Sequence, residues 1–330
     1  MYVRSEFQTL HFTVLSSEDF FPQILQFKLE DAVIIIQHFH SKGFAYLQVV
    51  QFVLVPEVIK AGNQVLYPLL YGKIKLFLVL FIVSLTIIPS ILPNNYWQSV
   101  FSITGIYVML ALGLNIVAGF TGLLDLSYVA FWGIGAYSFA FLCSDHFGIH
   151  LPLLAALPLC ALITMVCGFS LGLTSIRLRG DYLAIVTLAF AQIFKILLLN
   201  LDSPVNITGG VNGIYSFDVI KVFSIKIVTP ENYSTFIWSC ALVVFIVSYR
   251  LRDSRIGRGW NAIREDELAA DSIGISTAGM KLYSFATGAM IAGFSGAIFA
   301  SFQDSVFPNN FDFQQLVVVY CMVIIGGLGN

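Results

Sequence analysis

The feature that most constrains this chain is a succession of long apolar runs separated by short polar ones. From residue 76 onward they cover 76–92, 98–119, 126–143, 151–174, 183–199, 235–249, 282–300 and 316–328. A helix needs about 20 mostly apolar residues to cross a bilayer. The pattern therefore predicts an all-α polytopic membrane helix bundle, with about eight transmembrane helices. Composition agrees, because 58% of the 330 residues are hydrophobic and only 11% are charged. An ordinary soluble domain carries about 25% charge, so soluble globular and disordered chains are excluded. A net charge of −2 leaves no basic excess to neutralise phosphates, which excludes a nucleic-acid partner. The partner that composition does imply is the lipid bilayer.

Residues 1–72 differ from the rest, mixing short apolar stretches with Glu6, Glu18, Asp19, Lys28, Glu30, Asp31, Glu57 and Lys60. They read as an N-terminal extension, cytoplasmic or interfacial, or as sequence upstream of the true start. The membrane domain is 73–330. No cleavable signal peptide is evident, since residues 1–17 carry Arg4 and Glu6 without a clean apolar core. Cys143, Cys160, Cys167, Cys240 and Cys321 are scattered without a CxxC and read as small hydrophobes in helix interfaces.

Orientation follows from Lys and Arg. With a cytoplasmic N-terminus, the inner side collects Lys73, Lys75, Arg177, Arg179, Arg250, Arg252, Arg255, Arg258, Arg264 and Lys281, and the outer loops collect Lys221 and Lys226. The positive-inside rule selects this topology. Tyr96 and Trp97 are placed as interfacial anchors. Small residues inside the spans (Gly133 with Gly135, Gly168 with Gly172, Gly293 with Gly296) point to close helix packing.

Groups able to carry chemistry are few. No HExxH, GxSxG or P-loop GxxxxGK[ST] occurs, so ATP hydrolysis by the usual route is excluded. His146 and His150 sit in a short outer loop, and His38 and His40 in the extension; without a third ligand they make no metal centre, and no metal site or catalytic set is assigned. Ionisable residues within spans carry a functional hypothesis by default. Asp125 follows an interruption at Gly119-Phe120-Thr121-Gly122, and Lys195 lies in the span 183–199. A broken helix exposes backbone groups that protein, water or ligand must satisfy, which favours a substrate path. Asp125 is read as an N-cap of the following helix, as path lining, or as both, and Lys195 as snorkelling to an interface. The charged loop 250–281 holds a short helix over 261–274, stopped at Gly274. Its Ala-rich face (Ile263, Ala270, Ile273) is narrow enough for a groove and its other face is charged, which suits docking of a soluble partner or a solvated connector.

Several motifs carry a resemblance. Glu267-Leu268-Ala269-Ala270-Asp271-Ser272-Ile273-Gly274 resembles the EAA loop of ABC-importer permeases, in the E-x-A-A-x-x-x-G spelling of the branched-chain amino-acid, LivM-type, permease family. Arg177-Leu178-Arg179-Gly180-Asp181-Tyr182, running on to Thr187, is similar to that family's R-L-R-G-x-Y motif, and Thr208-Gly209-Gly210-Val211-Asn212-Gly213 to its T-G-G-x-N-G loop. Gly122 to Tyr137, with Ser127 where glycine is usual, and Gly326-Gly327-Leu328-Gly329 complete the set in order. The resemblance covers roughly residues 76–330; relatives continue beyond it, so the chain resembles a C-terminally truncated product or fragment, and its natural downstream sequence is expected to raise membrane yield.

The resemblance implies a transport subunit, not an enzyme, in a bacterial inner membrane, moving branched-chain amino acids. It implies a second homologous permease, two cytoplasmic ATP-binding subunits and an extracytoplasmic binding protein. No cofactor is expected in this chain, with ATP and Mg held by the ATPase. Arg264, Glu267, Ala269, Ala270 and Gly274 are its ATPase-docking residues. Asn115, Thr121, Asp125 and Tyr128 are placed on the substrate path, and Asn206, Thr208, Gly209, Gly210 and Asn212 toward the binding protein. Alternatives are a urea or short-amide permease, an ion-coupled secondary transporter using Asp125 and Lys195, and an intramembrane enzyme, for which no residue set exists.

Overall fold

The structure, a computed structural model, describes residues 94–330 apart from 176, 177, 179, 203–205, 218–220, 223, 224, 227–229 and 330. The extension 1–72, the expected span 76–92 and the basic residues Lys73, Lys75, Arg177 and Arg179 lie outside the described residues. Helix α1 (Asn95–Leu114) runs on as a six-residue π-helix, Asn115–Phe120. After an irregular stretch come α2 (Tyr128–Leu142), α3 (Leu153–Ser175) and α4 (Asp181–Asn200). Helix α5 (Pro230–Asp253) leads into two short helices, α6 (Arg255–Glu265) and α7 (Glu267–Ser272), then α8 (Thr277–Gln303) and α9 (Phe313–Gly326). Short strands pair antiparallel: β1 (Ile214–Tyr215) with β4 (Ser305–Val306), and β2 (Lys221–Val222) with β3 (Ile225–Lys226).

The chain is an all-α membrane bundle. Among the described residues five helices are long and apolar enough to cross a bilayer, and Tyr128–Leu142 and Phe313–Gly326 are shorter apolar helices. The expected span at 235–249 extends to 230–253 because its helix runs on through Arg250 and Arg252 until Ser254 caps the next one. The expected single helix over 261–274 is two helices. The break falls at Asp266, whose extended backbone lets its side chain accept from the amides of Leu268 (2.8 Å) and Ala269 (3.0 Å) as the N-cap of α7. Aspartate is a poor interior helix residue and a strong N-cap, so the acidic run Glu265-Asp266-Glu267 splits the helix there.

Contacts between loops fix the alternation of the helices. His146 Nε2 lies 2.9 Å from the Asn206 carbonyl oxygen, Ser144 bridges to Phe217, and β1 pairs with β4. The connections after α2, α4 and α8 therefore share one end of the bundle. At the other end Arg264 reaches Gly119 and Asn115 reaches Gly329, gathering the connections after α1, α5 and α9. This is the alternation that the positive-inside reading requires.

Helix α8 is the scaffold. It is buried along most of its length and packs chiefly on α2 and α3, whereas α4 turns Tyr182, Ile185, Ile193 and Ile196 outward. Lipid tails are as apolar as Leu, so helices gain from close approach rather than from leaving water. The small residues of α8 permit that approach. A Cβ placed on Gly135 of α2 would overlap the backbone of Gly293, and one on Gly296 would overlap the Trp132 carbonyl. Gly135→Leu is expected to destabilise the bundle by more than about 3 kcal/mol, because backbone cannot move aside as a side chain can. Gly326→Ala, where the added methyl meets open space, should stay within about 0.5 kcal/mol. Thermal unfolding and gel filtration of both variants in detergent check this.

Candidate functional site

Between α1 and α2 the backbone leaves helical geometry, as the Gly119–Gly122 interruption predicts, and its polar groups are satisfied from other helices. The Thr121 hydroxyl donates to the Val117 carbonyl (2.5 Å) and lies 3.1 Å from the Ser284 hydroxyl of α8. The amide of Leu126 donates to Thr187 Oγ1 of α4 (3.0 Å), and the Tyr320 hydroxyl of α9 donates to the Asp125 carbonyl (2.7 Å). The Gly119 carbonyl accepts from Arg264 Nη1 (2.8 Å). A buried backbone that leaves helical geometry must find other partners, and Thr187, Tyr320 and Arg264 supply them here.

Asp125 is fully buried. It is not the N-cap of α2; that position is Ser127, whose own side chain makes no capping bond. Asp125 Oδ1 instead accepts from the amide of Ser127 (2.9 Å) and from its hydroxyl, closing a turn just ahead of α2. Both donors come from Ser127, and the hydroxyl is the one that the expected glycine would lack. Asp125 Oδ2 and the Tyr128 hydroxyl are buried without a hydrogen-bond partner. Asn115 accepts from the amide of Gly329 (2.8 Å). The structure thus holds Thr121, Asp125 and Tyr128 in and beside the break, with Asn115 one turn before it.

Lys195 reaches the start of α9. It forms a salt bridge with Asp312 at 3.0 Å, where Asp312 also caps α9 through the amide of Phe313. The Lys195 hydrogen bond, followed by that amide, holds the Asp312 carboxyl below the usual carboxylate range. The pair that an ion-coupled transporter was expected to use is therefore not assembled, because Lys195 serves Asp312 and Asp125 serves Ser127. Among the described residues no group of three or more metal-ligating side chains occurs.

Helix α7 is fixed at both ends. Asp266 caps its start. At its end Gly274 takes a left-handed conformation (φ 86°), with the amide of Gly274 donating to Asp271 (3.0 Å) and that of Ile275 to Ala270 (3.1 Å). These two bonds are the Schellman stop, which favours glycine at that position. Glu267 pairs with the buried Lys281 of α8 at 2.7 Å, and the buried Trp260 of α6 donates to the Met280 carbonyl (2.8 Å). The face expected to enter a groove is reversed in part. Ile263 and Ala270 pack inward, while Leu268 is 65% and Ile273 75% exposed. Arg264 likewise turns its guanidinium toward Gly119. The outward surface includes Leu268, Ala269 and Ile273, bordered by Glu265, Asp266 and Asp271, and Arg264 is also exposed beside it.

At the opposite end, Thr208 donates to the Leu198 carbonyl (2.7 Å), the amide of Gly209 donates to Asn206 Oδ1 (2.9 Å), and Gly209, Gly210 and Gly213 all have positive φ. Asn206, Gly209 and Asn212, with Asp145 and His146, border an open depression of about 340 Å³. Of the remaining groups, Thr187, Ser284 and Tyr320 are polar residues within apolar runs and Lys281 closes the charged loop, and none carries a site assignment from sequence.

Residues 97–330 match the family described as branched-chain amino acid transport system / permease component. The chain belongs to this permease family. The high-affinity branched-chain amino acid transport system permease protein LivM of Salmonella typhimurium is 37% identical over 296 residues, which cover 82% of this chain and 68% of that protein. The protein of the same description from Escherichia coli aligns with the same figures. The autoinducer 2 import system permease protein LsrC of Yersinia pseudotuberculosis is 25% identical over 263 residues, 76% of this chain and 71% of that protein. No solved structure matches the chain. Family membership makes it a multi-pass transport subunit rather than an enzyme.

For this permease, Glu267→Gln is expected to destabilise by on the order of 2–3 kcal/mol by leaving the Lys281 ammonium unpaired. Adding Lys281→Met should recover most of the loss, as read from melting of the three variants in detergent. Tyr320→Phe should cost about 1–2 kcal/mol, the worth of one buried hydrogen bond to backbone.

Proposed function

We propose that this permease is the translocation subunit of an ABC importer for branched-chain amino acids in a bacterial inner membrane. The observation that carries the substrate is the 37% identity, over 82% of the chain, with permeases described as transporting branched-chain amino acids. The more distant LsrC relatives are described as importing autoinducer 2, so the family scaffold accepts different small molecules. The assembly contains a second homologous permease, two cytoplasmic ATPases that hold ATP and Mg, and an extracytoplasmic binding protein.

The α6–α7 unit is the ATPase contact. Leu268, Ala269 and Ile273 offer apolar side chains on a short helix, which is the form that fits a groove. Glu267, Ala270 and Gly274 hold that helix in shape, through the Lys281 pair, the inward packing and the Schellman turn. The break bearing Asn115, Thr121, Asp125 and Tyr128 borders the substrate path, and the loop with Asn206, Thr208, Gly209, Gly210 and Asn212 receives the binding protein. Closure of the ATPase pair on ATP draws α7 inward, and the bundle turns from inward- to outward-facing.

The test is co-purification. The chain is expressed with its partner permease and ATPases, with and without residues 264–274, and cells are assayed for uptake of labelled leucine in competition with valine and isoleucine. Retention of the ATPase only when 264–274 is present, with leucine uptake reduced by both competitors, is the expected outcome. A chain that inserts yet never holds an ATPase overturns the proposal. Uptake that ignores valine and isoleucine overturns the substrate.

A further inference from the structure

We propose that Arg264 is a latch that delivers movement of α6–α7 to the break between α1 and α2, rather than a contact for the ATPase. The inference rests on the ABC-permease reading above and deepens it by naming the connection between its two working parts.

Arg264 sits in the last turn of α6 and its Nη1 donates to the Gly119 carbonyl at 2.8 Å. Gly119 lies in the π-helical end of α1, immediately before the irregular stretch. Carbonyls at a helix end lack intrahelical donors and carry the negative end of the helix dipole. A guanidinium is therefore the favoured partner there, and Arg264 acts as a C-terminal cap supplied from another part of the fold. Its stem lies over Gly122, whose φ of +69° and missing side chain make room; a Cβ there would come 3.1 Å from Arg264 Cγ.

The second half of the latch is the rigidity of what carries it. Trp260, buried, ties α6 to the Met280 carbonyl, and Glu267 ties α7 to Lys281. Both anchors lie in the first turn and a half of α8, one turn before Ser284, which faces Thr121 of the break. The unit formed by α6, α7 and the start of α8 thus grips the break at two points, the Gly119 carbonyl and the Thr121 hydroxyl. A push on α7 reaches the backbone beside Asp125 without passing through the apolar interior. Arg264 is a positioning residue in this scheme: it acts through Gly119, not on the substrate.

The experiment uses the complete assembly, with Arg264→Gln, Arg264→Lys and Leu268→Asp compared with the unaltered chain. Three quantities are read: ATPase retained through purification, ATP hydrolysis, and uptake of labelled leucine. Arg264→Gln should keep the ATPase and its hydrolysis while lowering uptake about tenfold, the effect of losing a charged hydrogen bond that matters in only one conformation. Arg264→Lys, which keeps the cation, should recover part of the uptake, and Leu268→Asp should lose the ATPase. If Arg264→Gln aggregates, Gly122→Ala, which presses a methyl on the Arg264 stem and removes no donor, is read in its place for the same separation. Loss of the ATPase in Arg264→Gln, or uptake unchanged by it, overturns the latch alone. An unaltered assembly that holds no ATPase overturns the permease reading and the latch with it.

Discussion

The constraint on which the rest of this structure depends is that a backbone in lipid cannot leave its polar groups to water. Helix α1 ends in a π-helix and then gives up helical geometry for seven residues before α2. Beside local bonds such as Leu123 to Val117 and Ser127 to Asp125, the stretch and the helix end before it are met from across the sequence: by Thr187 from α4, Ser284 from α8, Tyr320 from α9 and Arg264 from α6. The break is therefore where the bundle is knitted together. An interruption that would destabilise an isolated helix becomes the site at which four separate segments are held in register.

Helix α8 makes that knitting geometrically possible. Its glycines and alanines bring α2 and α3 to backbone contact, so small displacements of α8 are passed to them rather than absorbed by side chains. Its first turns carry the opposite kind of residue, with the buried ammonium of Lys281 committed to Glu267 on the short helix outside. One continuous helix thus begins in the loop that offers Leu268 and Ile273 to a partner and runs through the centre of the bundle. The exposed apolar pair and the central helix are parts of one mechanical element.

Much of this was legible in the sequence, and what was not has a physical reason. The spans follow from apolar length, and their direction from Lys and Arg, because lipid imposes both rules on any chain. The interruption at Gly119–Gly122 was visible because two glycines flank a polar residue within an apolar run. The identity of its partners is not, since Thr187 and Ser284 look like ordinary small polar residues until packing brings them within hydrogen-bond reach. Asp125 and Lys195 both stand out as charges within apolar runs, but their partners, Ser127 and Asp312, are visible only in the packed structure. The helix over 261–274 was read through Asp266 because composition favours continuation, while the cap that splits it depends on a local side-chain-to-amide bond.

The same contrast explains why a docking motif need not be a docking surface residue by residue. Of the residues that spell the motif, Ala270 is packed inward, Glu267 is engaged with Lys281, and Gly274 closes the helix through its left-handed backbone. The side chains left facing outward include Leu268 and Ile273, which the motif does not specify. A sequence pattern of this kind therefore describes how a six-residue helix is kept folded and fastened. Such a helix is too short to hold itself together, so its caps and its tether are the part that sequence must specify. The apolar contact can then vary with the groove it enters, provided that the helix presenting it stays rigidly joined to the bundle it has to move.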